Sequence, residues 1–304
     1  MNTLSVVVSV LNGERFLADC LASVAGIADE IIVVDYGSTD KTIAIAKKFT
    51  KKIYQQKNNP ETIDIQKNFG FEKATKDWIL SLDADEMITP ELKEEVHNLL
   101  KTSPAHNAYR IPRKNIIFGK WMEHTGWYPD YQLRLFKKGQ GKYTKKHVHE
   151  ELTVEGTTGL LTSPIMHENY QTVSQFLQKN LLVYALNEAE YMRHNGYVFS
   201  YADGLSFPVK EFLSRYFARE GYKDGFHGLI LSLLMAVYHF TIFLYLWENE
   251  KFSENSQQQT FAVLASQIHG LKKEFHYWIG SVRIKETKSK VSRLLLKTKR
   301  KLGL

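Results

Sequence analysis

The chain has 304 residues, 43% hydrophobic and 24% charged, enough to bury one large core or a core plus an appendage, and neither fibrous nor disordered in composition. One cysteine, Cys20, excludes an internal disulfide framework, fits a reducing compartment, and lies in an apolar run where a buried inert thiol is expected. The net charge of +7 is uneven: Arg283 to Lys301 hold about nine Lys/Arg against one Glu, which leaves the body about neutral, excludes a general nucleic-acid surface, and suits a tail touching anionic lipid.

The start, MNTLSVVVSV, has no basic n-region and no small-residue cleavage site after it, so the catalytic part is expected to stay in the cytoplasm. Residues 4 to 10 form a β-branched run that reads as a buried strand, punctuated by Asn12-Gly13. Phe16, Leu17, Cys20, Leu21 and Val24 share one helical face. Ile31 to Val34 read as a second buried strand ending at Asp35, and Thr39 or Asp40 is placed to cap a helix over 42–49. Ile53-Tyr54 is a short strand, 65–74 a helix, and Trp78 to Leu82 a fourth strand that runs into Asp83-Ala84-Asp85-Glu86. Pro90 then opens a helix at its first position. This alternation predicts an α/β fold with a mainly parallel sheet, whose ligands bind beyond the carboxyl ends of the strands. From about 109 to 158 the pattern becomes short strands rich in aromatic and basic residues, an acceptor-side segment, and from Thr172 onward it is mostly helical.

Asp83-Ala84-Asp85 is the sharpest chemical signal. At a strand end alternate residues point the same way, so both carboxylates could converge on one Mg2+ or Mn2+ bridging a diphosphate. An isolated D-x-D is more often a solvated acidic turn before a helix; the WILSL run before it and Asp35 at a second strand end favour the functional reading.

Taken with that signal, Asn12, IIVVDYGSTDKT at 31–42 and QKNFGFEKATKDWILSLDADE at 66–86 resemble family 2 glycosyltransferases, in particular the bacterial branch that includes the lipopolysaccharide core β-glucosyltransferases. YPDYQLRLF at 128–136, HVHEEL at 147–152 and GFHGLILSLLMAVYHFTIFLYLWE at 225–248 resemble the same branch, so the likeness covers nearly all of the chain to about 250. It implies a GT-A fold: a Rossmann-like nucleotide-sugar half over about 1–105 and an acceptor half over about 106–220, followed by a helical, membrane-associating region over 221–304. It also implies roles. Asp35 would contact the base, Asp83 the ribose and phosphates, and Asp85 the metal, with Asn12, Gln66, Lys67 and Asn68 beside the donor. Lys67 stands where many relatives carry Arg, which keeps charge and loses bidentate geometry. Tyr36 and Leu11 depart from the family pattern near the base.

Glu150 is similar to the family's catalytic carboxylate, the base that takes the acceptor hydroxyl proton. A solvated strand is the plain alternative, and Glu151 the fallback, since adjacent strand residues face opposite ways. His167 reads either as a structural histidine or as a late metal or phosphate ligand. Trp121, Trp127, Tyr128 and Tyr131 read equally as an acceptor platform or as packing. Phe226 to Trp247 is long and apolar enough to span a bilayer, but a crossing would put the basic tail outside; an in-plane helix at the inner face of the cytoplasmic membrane fits better, with a buried or homodimer-forming helix as the alternative. The expected function is inverting hexose transfer from a nucleotide diphosphate sugar to a lipid-linked or cell-envelope glycan or glycolipid acceptor. The rivals are a sugar nucleotidyltransferase, for which LNGER after the first strand is a poor triphosphate loop, and a non-catalytic membrane-bound nucleotide-sugar binder.

Overall fold

The computed structural model describes residues 2–59, 64–146 and 149–302. It divides into two compact units, Met1–Trp121 with Trp127–Gln171, and Met122–Gly126 with Thr172–Leu304.

The first unit is built on a sheet that begins parallel. The strands β1 (Leu4–Val10), β2 (Glu30–Asp35), β3 (Ile53–Gln55) and β4 (Trp78–Asp83) run parallel in the order β3-β2-β1-β4. β1 sits centrally and all seven of its residues are buried, which is why it reads as an unbroken apolar run. Its alternate residues serve two layers. Leu4, Val6, Val8 and Val10 pack with α1 (Leu17–Ser23) and α4 (Pro90–Lys101) through Leu17, Cys20, Leu21, Leu92 and Val96. Val7 packs on the other face with Ile32, Val34 and Phe71 of α3 (Asn68–Lys73). α3 lies so close that a Cβ on Gly70 would stand 2.7 Å from Val7 Cγ1 and 2.9 Å from Val34 Cγ2. The helix α2 (Thr42–Ala46) is shorter than expected; Lys41 is its N-cap residue, and the Asp40 carboxylate accepts from Thr42 N at 2.9 Å. α4 starts as expected: Thr89 Oγ1 accepts from Leu92 N at 3.1 Å and Pro90 follows.

Beyond β4 the sheet turns antiparallel. β8 (Asp130–Lys137) pairs with β4 and with β6 (Ala108–Ile117), and β12 (Ile165–Tyr170) lies parallel to β6. β5 (Glu86–Ile88) pairs antiparallel with β12, matching Glu86 to His167. β7 (Lys120–Trp121) and β11 (Thr158–Leu160) also join β6. β9 (Gly141–Lys146) and β10 (His149–Val154) form a separate hairpin. A Rossmann-like parallel half continuing into a mixed half is the α/β architecture expected from the sequence.

The second unit is helical. It contains α5 (Val173–Leu177), α6 (Ala185–His194), α7 (Asp203–Leu213), α8 (Gly225–Asn249), α9 (Gln257–Glu286) and α10 (Lys290–Leu302), with π-helical turns at Gln178–Tyr184 and Ser214–Ala218. The inserted segment Met122–Gly126 is tied into it by buried Asp224, which accepts from His124 N at 3.0 Å and Thr125 Oγ1 at 2.7 Å. α8 buries Leu231, Met235, Ile242 and Leu246, while Leu233, Val237, Phe240 and Leu244, at helical spacing, are exposed. Among the described residues one stretch, Gly221–Asn249, is long and apolar enough to cross a membrane by length and composition.

Candidate active site

The carboxyl ends of β1, β2 and β4 carry the loops with most of the expected donor-side residues. Asn12, in a left-handed conformation just after β1 (φ 52°), accepts at Oδ1 from Thr39 N at 2.9 Å, and its backbone N–H donates to Ser38 Oγ at 2.7 Å. It thereby joins the loops that follow β1 and β2. Asp35 ends β2, fully buried, and its carboxylate accepts from Gly37 N and Ser38 N, each at 3.2 Å. Tyr36 is buried beside it, with Oη 3.5 Å from Ser9 Oγ; burial pushes its phenol upward. Gln66 spans Asn59 N (3.0 Å) and Asn58 Oδ1 (3.2 Å), so it orders the preceding loop. Asn68 makes a reciprocal pair with the Tyr143 backbone, at 3.0 and 2.8 Å, and anchors the β9 hairpin.

Asp83 and Asp85 do not continue one strand. β4 stops at Asp83, Ala84 and Asp85 form a turn, and β5 begins at Glu86. The two carboxylates therefore have different company. Asp83 is held between two cations, Lys67 Nζ at 2.7 Å and Arg134 Nη2 at 2.9 Å. Burial alone would raise its pKa, but Lys67 and Arg134 outweigh that and hold it well below the usual carboxylate range. Burial alone would lower Lys67 as well; Asp83, together with Asp64 at 2.8 Å, leaves it raised. Asp85 is about one-third exposed, and its Oδ1 stands 3.8 Å from His167 Nε2.

Glu86, completely buried, organises the turn. Its Oε2 accepts from Asp83 N at 3.0 Å, and its Oε1 accepts from Arg134 Nη2 at 2.6 Å and from Arg113 Nη1 at 3.4 Å. Arg113 in turn pairs with Asp130 at 2.6 Å. His167, on β12, has Nδ1 2.7 Å from Asn115 Oδ1. Burial lowers its pKa to about 4 against the opposing pull of Glu86, so the imidazole is neutral at physiological pH. Among the described residues no three His, Cys, Asp or Glu side chains cluster closely enough to hold a metal by themselves. The Cys20 thiol is buried and pushed up by burial, which makes it inert.

The structure thus brings Lys67, Asp83 and Asp85 into one charged cluster and gives Asn12, Asp35, Gln66 and Asn68 loop-ordering bonds around it. Glu150 lies on β10 with its backbone paired to Lys145, and its side chain lies outside the described residues, as do Glu151's side chain and all of His147. Five charged residues of the cluster had no role assigned from the sequence: Asp64, Glu86, Arg113, Asp130 and Arg134. The signal for two of them was present, because Asp130, Gln132 and Arg134 alternate along DYQLRLF and give one polar strand face. The aromatic group does not form one open platform: Trp121 packs edge-on to Tyr128 at 5.6 Å, Trp127 edge-on to Tyr170 at 6.3 Å, and Tyr131 is exposed.

A buried cluster of carboxylates and cations at the carboxyl ends of a mainly parallel sheet is the place where an α/β protein handles a charged ligand. Residues 5–153 match the model for Glycosyl transferase family 2, and the chain carries a family 2 glycosyltransferase domain. Over 243 residues it is 28% identical to the lipopolysaccharide core biosynthesis glycosyltransferase LpsC of Rhizobium meliloti (strain 1021), covering 78% of this chain and 89% of that protein. It is 27% identical over 265 residues to an uncharacterized glycosyltransferase of Rickettsia typhi, covering 79% and 85%. Among solved structures, S. aureus TarS 1-349 is 15% identical with a TM-score of 0.40, covering 83% of this chain and 92% of that one.

Proposed function

We propose that this chain transfers a hexose, with inversion, from a nucleotide diphosphate sugar to a lipid-linked or cell-envelope glycan of the lipopolysaccharide core kind, and does so at the inner face of the cytoplasmic membrane. The observation that carries this reading is the Asp83–Asp85 turn at the end of β4, with Asp85 facing His167, in a chain of which 78% aligns with a lipopolysaccharide core glycosyltransferase.

The residues fit a divalent cation. Three cations (Lys67, Arg113, Arg134) stand among five carboxylates (Asp64, Asp83, Asp85, Glu86, Asp130), so the cluster retains two negative charges while His167 is neutral. Both Asp83 oxygens already face cations, so Asp85 and His167 would be the direct ligands, with Asp83 supporting the donor. Two protein ligands are what Mg2+ or Mn2+ needs when diphosphate oxygens and water supply the rest. When bound, the cation neutralises charge on the departing nucleoside diphosphate. Lys67 and Arg134 hold Asp83 ionised and in place. The loops ordered by Asn12, Asp35 and Gln66 receive the nucleotide. Glu150 takes the proton of the acceptor hydroxyl as that oxygen attacks the anomeric carbon.

Membrane attachment is supported by the exposed stripe of α8 and by α10. There Val291, Leu294 and Leu295 are exposed among Lys290, Arg293, Lys297 and Arg300. The test is transfer itself: purified protein, a panel of nucleotide sugars, Mg2+ or Mn2+, and truncated lipopolysaccharide core as acceptor. A metal-dependent mass increase of one hexose on the acceptor supports the reading. Binding of nucleotide sugar without transfer or hydrolysis would turn it into the non-catalytic binder.

A further inference from the structure

Asn115 is fully buried near the end of β6, between β8 and β12. A buried primary amide must satisfy both a donor end and an acceptor end. Its Nδ2 donates to the Trp127 carbonyl at 2.8 Å and to Asp130 Oδ2 at 3.2 Å. Neither of these is a donor: one is a backbone carbonyl, and the other is a carboxylate whose pKa is lowered, against its burial, by Arg113. Turning the amide over would set its oxygen against two oxygens, so the chemistry of the partners fixes its orientation. Asn115 Oδ1 therefore faces His167 Nδ1 at 2.7 Å, and it also accepts from Asn169 Nδ2 at 3.3 Å. An oxygen that only accepts requires a proton on Nδ1. A neutral imidazole has one N–H, so its Nε2 carries a lone pair, and that nitrogen faces Asp85 Oδ1 at 3.8 Å. Two electron-pair donors held at that distance suit a cation shared between them.

We propose that Asn115 is a positioning residue: anchored by Asp130 and the Trp127 carbonyl, it fixes the Nδ1–H tautomer of His167 and so aims the Nε2 lone pair at the position shared with Asp85. This rests on the reading of Asp85 and His167 as the cation's ligands, and it gives the tautomer a cause. Such outer partners of a ligating histidine typically change metal affinity by about 10- to 100-fold when removed. None of these residues is adjacent in sequence: β6 supplies Asn115, β8 supplies Asp130, β12 supplies His167 and Asn169, and the loop before β8 supplies the Trp127 carbonyl.

The test reads the tautomer directly. Full-length protein carrying nitrogen-15 histidine is examined by NMR without metal near neutral pH, with His167→Gln identifying the resonances. The expected result is a protonated Nδ1 and an unprotonated Nε2 in the unaltered protein. Asn115→Leu, which keeps volume and removes the acceptor, should move His167 toward the Nε2–H form. It should also weaken Mn2+ binding, followed by paramagnetic resonance in the presence of UDP, by roughly 10- to 100-fold. An Nε2–H tautomer in the unaltered protein overturns the proposal even if the Leu variant fails to fold. So does a folded Leu variant that keeps Nδ1–H or binds Mn2+ as tightly as before. If the unaltered protein shows Nδ1–H but Asp85→Ala and His167→Gln bind Mn2+ undiminished, the metal reading fails while the tautomer assignment stands.

Discussion

Replacing Glu86 with Gln should damage the protein more than any equally conservative change in the same turn. Gln keeps the shape and removes the charge. Glu86 Oε2 accepts from Asp83 N at 3.0 Å, and Oε1 accepts from Arg134 at 2.6 Å. A Gln amide can present its oxygen to only one of these donors; its NH2 then faces the other, donor against donor. Arg134 is 4% exposed and would be left with Asp83 as its only carboxylate. Breaking one partner from a buried ion pair costs about 3–5 kcal/mol, and because Asp83 remains the expected value is about 3 kcal/mol. At roughly 2–4 °C per kcal/mol for a unit of this size, the midpoint should fall by roughly 6–12 °C. Denaturant unfolding measures the energy and thermal unfolding the midpoint, both followed by circular dichroism and tryptophan fluorescence, with the exposed Asp19→Asn as control. The paired change Glu86→Leu with Arg134→Leu should cost less than the sum of the two single changes, because removing a whole buried pair leaves no charge stranded. A Glu86→Gln protein within about 0.5 kcal/mol of the parent, the range of ordinary surface changes, would refute the idea that this carboxylate holds the turn.

Four further outcomes are expected. Asp85→Ala should keep the fold and lose most metal-dependent turnover, and full activity of that variant in EDTA would sink the cation assignment. Glu150→Gln should bind nucleotide sugar normally and transfer it ~10²–10⁴-fold more slowly; the same loss in Glu151→Gln instead would move the base by one residue. Glu30, whose carboxylate is only 2% exposed, accepts from Thr75 N at 2.9 Å and bonds Ser5 and Lys52; although burial opposes it, those bonds lower its pKa to about 2. Its contribution, roughly 3 kcal/mol from the size of that shift, is therefore present above the unfolded value near 4.5 and lost as pH falls toward 2. The stability gap between the parent and Glu30→Gln should close over that window, and a constant gap would contradict the assignment. Deleting Arg283 to Lys301 should reduce binding to anionic vesicles more than to neutral ones and leave the remaining attachment less sensitive to salt, while donor hydrolysis stays unchanged; equal binding of the full and shortened chains to both vesicle types would remove the electrostatic term.

The parallel half of the sheet and its flanking helices were readable from the chain because their signals are local. A β-branched run such as LSVVVSV has only one comfortable place, between two strands with helices on both faces, and all seven residues are indeed buried. Thr89-Pro90 marks a helix start by the same local logic. The charged loop ends at Asp35 and Asp83 were readable too, since strand ends in such a sheet face one crevice. What could not be read was who meets whom. Asp83 and Asp85 part company because β4 ends between them, a boundary set by the pairing of β5 with β12 rather than by the sequence DADE. Arg134 reaches Asp83 and Glu86 through the β4–β8 pairing, and His167 lies opposite Glu86 through a strand 80 residues downstream; sequence spacing carries no record of such registers. The apolar run of α8 shows the same division. Its composition allows a bilayer, a core or a dimer, because hydrophobicity has no direction along a uniformly apolar helix. Only packing decides that Leu231, Met235, Ile242 and Leu246 are buried within the helical unit while Leu233, Val237, Phe240 and Leu244 are left on the outside.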